Sequence, residues 1–88
     1  MKITYRKKSL KELAKVPRAT RLKMEAFVFE ELPGANSIFE TGSAEQMKGY
    51  PTYFKIRFGV YRIGLKMEND TVILERVLHR KDIYRHFP

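Results

Sequence analysis

The chain has 88 residues with 43% apolar and 12% aromatic content, enough for one small core with no length left for a second. It contains no cysteine and only two histidines, which excludes disulfides and a thiolate nucleophile and argues against an all-protein zinc site. A formal net charge of +8 suits a polyanionic partner, either a nucleic acid or an acidic protein. Because no signal peptide or long apolar run is visible, we expect one cytoplasmic domain over residues 1–88, without membrane contact.

The first part of the chain predicts a strand followed by a short helix. Residues 2–5 alternate polar and apolar side chains, as a half-buried strand does. Ser9 and Glu12 have the spacing of a capping box, which favours a helix of about 8 residues beginning at Ser9. Its inner face would carry three apolar side chains, namely Leu10, Leu13 and Ala14.

A second helix of about 15 residues is predicted between Pro17 and the Pro33-Gly34 pair, which would end it. Three apolar residues recur at helical spacing and are expected to form its buried face: Leu22, Ala26 and Phe29. Residues 34–52 are interrupted by Gly and Pro and predict irregular structure, with part of it as a short strand.

The second half predicts an antiparallel meander. Residues 53–58 and 61–67 alternate apolar with mainly basic side chains, and residues 68–70 supply the turn of a hairpin. Residues 71–78 are nearly continuously apolar, which is typical of a strand covered on both faces. We therefore predict an α+β fold, βαα followed by an antiparallel three-stranded meander, with two N-terminal helices packed on one face of a single small sheet.

The face of this sheet that the helices leave open is predicted to be cationic. It would carry Lys55 and Arg57, about 6.6 Å apart on one strand, and Arg62 on the next. Residues 48–66 contain no Asp or Glu, and like charges side by side on a sheet repel each other. Such a concentration of positive charge indicates a face that binds an anion. For each residue taken alone, the alternative is an ordinary basic side chain on a solvated strand.

The segment "HRKDIYR", residues 79–85, is expected to be the end of the last strand plus a turn that carries Arg80 and Tyr84 toward these cations. Arg80 suits phosphate stabilisation, and Tyr84 suits either stacking on a base or proton transfer. His79 is equally well read as a strand-end residue or as a proton carrier, because imidazole titrates near neutral pH. Residues 86–88 are expected to be a tail, with no role for His86.

Metal-dependent hydrolysis needs clustered carboxylate or histidine side chains, and the acids of this chain are few and scattered. A serine nucleophile of the G-x-S-x-G type is absent as well. The reaction that these residues can still support is the metal-free cleavage of RNA by its own 2′-hydroxyl. That reaction needs a proton acceptor, cations for the phosphorane-like transition state and a donor for the departing 5′-oxygen. No cofactor is expected. An inert nucleic-acid-binding domain, whose cations only hold phosphates, is the alternative.

The stretches "YFKIRFGVYRIGL" and "VLHRKDIYR", joined by an acidic turn and an aliphatic strand, resemble the RelE branch of the RelE/ParE toxin superfamily. The resemblance extends over the whole chain and is densest in residues 47–85. It implies a toxin that enters the A site of the 30S ribosomal subunit and cuts mRNA there by 2′-hydroxyl attack, without a metal. The implied partners are a cognate antitoxin, the ribosome with its mRNA, and operator DNA through the antitoxin complex.

The family's functional positions match five residues of this sequence, namely Lys55, Arg57, Arg62, Arg80 and Tyr84. The role of His79 stays open, and Lys48 and Arg85 are added as candidate RNA-binding residues. Two departures are visible, an arginine at position 57 where lysine is also common, and only four residues after Tyr84, from which we expect no C-terminal helix. A ParE-like toxin that poisons DNA gyrase would share the fold, but such toxins tend to lack the full set of cations and tyrosine.

Overall fold

The computed structural model describes residues 1–88 and contains one sheet with the strand order β1-β5-β4-β3-β2. The strands are β1 (Lys2–Tyr5), β2 (Glu45–Met47), β3 (Tyr50–Phe58), β4 (Tyr61–Glu68) and β5 (Thr71–His79). β3, β4 and β5 form the predicted antiparallel meander, which is thereby confirmed. β1 adds to β5 in parallel, and β2 adds to β3 as the short strand expected within residues 34–52.

The helical hairpin predicted between β1 and the meander is also present. It comprises α1 (Lys7–Ala14) and α2 (Arg18–Ala26), and the chain continues through a π-helical turn (Phe27–Glu31) into the single turn α3 (Leu32–Gly34). A 3₁₀ turn (Ile38–Thr41) then leads to β2. Even the longest of these helical segments falls short of the length and apolar character needed to cross a bilayer.

The start of α1 differs from the capping box predicted for it. The helix begins two residues before Ser9, with Arg6 at its N-cap, and the Ser9 hydroxyl donates a hydrogen bond of 2.6 Å to the Arg6 carbonyl. Glu12 turns away from the helix start and accepts three hydrogen bonds from the guanidinium of Arg76 and one from the backbone N–H of Val77, where a cap would supply only one. Of the predicted inner face only Leu13 is buried, and Leu10 and Ala14 are exposed.

The predicted buried face of α2 is wrong. Leu22 and Phe29 are 50% and 45% exposed, and Ala26 is exposed too. The core side of the segment is instead formed by Met24, Phe27, Val28 and Leu32, which pack onto the sheet. Both stripes have helical spacing, but this second stripe holds more apolar surface, so its burial is favoured.

The residues after β5 form a helix, α4 (Arg80–His86), where a strand end and a turn were predicted. The prediction that the chain has no C-terminal helix is therefore wrong, and residues 86–88 are not a free tail. Phe87 is 3% exposed and packs with Ile83 and Met47 in a small second core on the side of the sheet away from α1 and α2.

Gly64 in β4 makes room for this second core. A Cβ atom at position 64 would lie 2.9 Å from three ring atoms of Phe87, closer than side-chain packing allows. The face that was predicted to be open is thus partly covered, by a helix that carries Tyr84 with it. On this face Arg57 remains exposed and Arg62 is half-buried, whereas only 15% of the Lys55 side chain is accessible.

Candidate active site

Two arginines face each other on neighbouring strands of the open face. Arg57 on β3 is the cross-strand partner of Arg62 on β4, so their side chains project from the same side of the sheet. Arg62 is fixed, since its Nη1 donates to the carbonyls of Gly59 at 2.8 Å and Tyr61 at 2.9 Å. Arg57 is exposed and makes no hydrogen bond or ion pair within the chain. One cation is held in place while its neighbour is free to meet a ligand.

Lys55 and Tyr84 are in direct contact. The Lys55 ammonium donates a hydrogen bond to the Tyr84 hydroxyl, and its Nζ lies 4.3 Å from the centre of the tyrosine ring. The same Nζ lies 3.9 Å from Oε2 of Glu45 on the edge strand. Tyr84 nevertheless remains 68% exposed, so its ring is available for stacking and its hydroxyl for proton transfer.

The first turn of α4 is fastened to the β3–β4 hairpin. The backbone N–H of Arg80 donates to the carbonyl of Val60 at 2.7 Å, which places Arg80 at the end of the sheet where β4 begins, near Arg62. The Arg80 side chain is exposed and has no partner within the chain. Because residues four apart share one side of a helix, Arg80 and Tyr84 are presented together. The structure thus brings five of the predicted site residues to one region.

His79 lies on the other side of the sheet. Its cross-strand partner is Tyr61, with 5.5 Å between ring centres, whereas the neighbouring pair of Arg62 and Leu78 projects to the open face. The Nδ1 atom of His79 accepts the backbone N–H of Lys81 at 3.1 Å, which makes His79 the N-cap of α4. This geometry gives the side chain a structural task, and a catalytic role for it stays a prediction.

Lys48 borders the same region, and Arg85 is the neighbour of Tyr84 in sequence. Lys48 lies in the turn between β2 and β3, and Arg85 follows Tyr84 on α4. Both side chains are exposed and have no ion pair within the chain. They add free positive charge around the Lys55–Tyr84 contact, while RNA binding by them stays a prediction.

The residue that ties α4 to the rest of the molecule, Arg76, was missed in the sequence. It donates 2.8 Å from Nη2 to Glu12 and 3.1 Å from Nη1 to the carbonyl of His86. Hydrogen bonding to Glu12 raises the pKa of Arg76 above its ordinary value, so the guanidinium stays charged. A signal was present, because Arg76 interrupts an apolar strand where a charge requires a partner.

The chain contains no group of three or more His, Asp or Glu side chains arranged to hold a metal ion. What the open face provides is a set of guanidinium and ammonium groups next to a phenol. Such groups can bind phosphate oxygens, stabilise added negative charge and exchange a proton with a nearby hydroxyl.

The family model described as the ParE toxin of type II toxin–antitoxin systems matches residues 3–84. A relative in Methanocaldococcus jannaschii, Toxin RelE3, is 40% identical over 89 residues, which is 100% of both chains. The chain belongs to the RelE/ParE family of type II toxins.

Solved structures place this RelE-like chain within the family. The RelB-RelE antitoxin–toxin complex of Methanococcus jannaschii contains a chain of 38% identity with a TM-score of 0.80, covering 97% of this chain and 99% of that one. A mutant of the Escherichia coli toxin RelE in the free state has the same fold, with a TM-score of 0.68 at 18% identity, covering 96% and 90% of the two chains. The predicted RelE-like fold and the RelE-like branch are confirmed.

Proposed function

We propose that this chain is the toxin of a toxin–antitoxin pair and that it cleaves mRNA in the ribosomal A site by 2′-hydroxyl attack, without a catalytic metal. The observation that carries the proposal is the contact between the Lys55 ammonium and the Tyr84 hydroxyl. Beside it lies the cross-strand pair of Arg57 and Arg62. An enzyme that moves protons around a phosphate needs such a combination of cations and a hydroxyl.

In the proposed reaction the 2′-oxygen forms a bond to the adjacent phosphorus while the bond from phosphorus to the 5′-oxygen breaks. One proton leaves the 2′-hydroxyl and one reaches the 5′-oxygen, and negative charge builds up on the non-bridging oxygens. The free guanidinium of Arg57 suits a bidentate contact with those oxygens, and the fixed guanidinium of Arg62 adds positive charge beside it. The hydrogen bond from the Lys55 ammonium holds the Tyr84 hydroxyl in place, and Tyr84 is the proposed group that exchanges a proton with the RNA.

The proposed partners follow from the charge of the face and from the relatives. A net charge of +8 and unpaired cations suit the message and the ribosomal RNA around it. The M. jannaschii relative was solved as a RelB-RelE complex, so we propose a cognate antitoxin that covers the basic face of this cytoplasmic, one-domain toxin. Operator DNA would then be contacted through the antitoxin complex.

The experiment that tests this function adds purified protein to ribosomes programmed with a defined message and maps the ends of the RNA. We expect cleavage within the A-site codon only when ribosomes are present, leaving a 2′,3′-cyclic phosphate. A phosphorothioate at the scissile position should gain nothing from thiophilic metal ions. Arg80→Ala and Tyr84→Ala should each slow cleavage by about 100-fold or more, whereas Lys23→Ala, which removes an exposed charge on α2, should not. Intact messages would overturn the nuclease proposal.

A ParE-like activity is the second candidate, because the matching family model is described as the ParE toxin. In that case the chain would poison DNA gyrase by protein contact. Incubation with gyrase and a supercoiled plasmid would then give stalled cleavage complexes while messages stay intact. RNA binding without either effect would favour a non-catalytic basic domain.

A further inference from the structure

A groove adjoins the contact between Lys55 and Tyr84. It has a volume of about 390 Å³ and lies between the β2–β3 hairpin and the end of α4. This volume is within the range of roughly 300–1,000 Å³ that is typical of small-ligand sites. Lys55 and Tyr84 form part of its wall, so a molecule in the groove would touch the proposed reaction site.

The floor of the groove is apolar, and one side of it carries an exposed aromatic ring. Met47 and Phe87 are buried, whereas Tyr50 is 49% exposed. The ring of Tyr50 packs edge-on against Tyr53 with 6.0 Å between centres, and Tyr53 packs against Phe87 in the same manner at 5.5 Å. Tyr50 is thus supported from within while much of its surface stays available for stacking.

Two charged groups border this ring. Glu45 is bound only loosely within the chain, because its contact with the Lys55 ammonium is 3.9 Å long, whereas charge-assisted hydrogen bonds measure about 2.7–2.9 Å. Its side chain is 58% exposed, so both carboxylate oxygens can accept hydrogen bonds from a ligand. Lys48, in the hairpin turn, lines the groove with an unpaired ammonium.

We propose that this groove binds one nucleobase of the message, next to the scissile phosphate, and selects bases that carry an exocyclic amino group over uracil. The inference rests on the proposed nuclease function. Tyr50 would stack on the base, and Glu45 would accept from its N–H groups. The edge of uracil presents two carbonyl oxygens around a single N–H, and a carboxylate repels those oxygens. Lys48 and Lys55 would hold the flanking phosphates, which an uncharged ligand lacks, whereas the Glu45 carboxylate would repel an acidic group placed in the groove itself.

The first test uses programmed ribosomes and messages that differ only in one base of the A-site codon. We expect wild-type protein to cut more slowly where uracil enters the groove. Glu45→Gln should reduce that difference several-fold, because an amide offers a donor as well as an acceptor. Glu30→Gln, at an exposed and unpaired carboxylate far from the groove in sequence, is the matched control. A base profile that Glu45→Gln leaves unchanged would overturn the proposal.

Substitution of the stacking residue tests the same subsite at a second point. Tyr50→Ala should slow cleavage at all codons by about tenfold or more, since a base loses its stacking partner. Tyr50→Phe keeps the ring and should cut like the wild type. Equal rates for Tyr50→Ala and the wild type would refute stacking on Tyr50.

A binding measurement separates the failure of this proposal from the failure of the nuclease function. If the wild-type chain cuts no message, the nuclease proposal falls, and the groove is tested by titrating the four nucleoside 5′-monophosphates into isotope-labelled protein. We expect the NMR signals of Glu45 and Tyr50 to shift at lower concentrations of the adenine, cytosine and guanine nucleotides than of the uracil nucleotide. Shifts that do not distinguish the uracil nucleotide, or no shifts at these residues, would reject base selection in the groove.

Discussion

Glu12 and Arg76 are joined by three hydrogen bonds although 64 positions separate them in sequence, with 2.8 Å between Oε2 and Nη2 in the shortest. The other carboxylate oxygen accepts the backbone N–H of Val77 at 3.0 Å, and Arg76 reaches the carbonyl of His86 at the end of α4. β1 covers β5 only as far as Leu74, so Glu12 satisfies the edge of the sheet where no strand does. A single ion pair therefore connects α1, β5 and the helix that carries Tyr84.

We expect Glu12→Ala to lower the free energy of unfolding by about 2–4 kcal/mol, because it leaves the mostly buried guanidinium of Arg76 without its counter-ion and the backbone N–H of Val77 without an acceptor. Urea denaturation measures this loss. The control is Glu75→Ala, which breaks a pair with the mostly exposed Arg6 and should cost less than about 1 kcal/mol. Similar losses for the two variants would show that Glu12 has no special role.

Gly64→Ala should loosen α4. The new methyl group would meet the ring of Phe87 at 2.9 Å, and relieving such overpacking costs about 1–3 kcal/mol. Hydrogen exchange should become faster in residues 80–87, and cleavage should fall with it. Gly34→Ala, where a Cβ meets no atom within 4 Å, should leave both measurements unchanged.

The double variant Gly64→Ala with Phe87→Ala checks the cause. Once the ring is removed, the added methyl group has nothing to displace, so its cost should largely vanish. Additive losses would mean that Gly64 is required for some reason other than its contact with Phe87.

Arg57→Ala should separate stability from activity. Its guanidinium has no partner and lies across from Arg62, so its removal relieves a repulsion and should leave the free energy of unfolding equal or higher by a few tenths of a kcal/mol. Ribosome-dependent cleavage should nevertheless drop by about 100-fold, as expected for loss of a transition-state cation. Lys23→Ala removes one positive charge from an exposed site on α2 and should change neither the free energy of unfolding nor the rate of cleavage. A large loss of stability in Arg57→Ala would contradict this account.

Variants at His79 distinguish a role in capping α4 from a role in catalysis. His79→Ala should cost about 1 kcal/mol, because the N–H of Lys81 loses its acceptor. His79→Asn supplies another good capping side chain and should restore stability. We expect cleavage by His79→Asn to match the wild type across the pH range. Loss of cleavage with stability intact would instead establish His79 as a proton carrier.

The meander and its cations could be predicted because strand alternation is local. Apolar and basic side chains alternate along residues 53–67, and this alternation is enough to place Lys55, Arg57 and Arg62 on one face. α4 could not be predicted in this way, because its stability depends on Gly64 beneath Phe87 and on Arg76 at its end, contacts between residues far apart in sequence.

α2 shows a different limit to what the sequence can predict, namely which side of a helix is buried. Two apolar stripes with the same period lie on one segment, and periodicity alone gives no reason to prefer one of them. The choice was made by tertiary packing, in which Phe27 meets Phe58 of β3 with 5.6 Å between ring centres. Leu22 and Phe29, which the spacing favoured equally, were left at the surface.

The parallel pairing of β1 with β5 sets the order in which this molecule can be completed. Ile3 meets Val72, so β1 finds its partner strand only after residue 72 has been synthesised. Arg80 and Tyr84 come later still. We expect a growing chain that still lacks α4 to be harmless to the ribosome, because the cations of β3 and β4 then have no Tyr84 beside them.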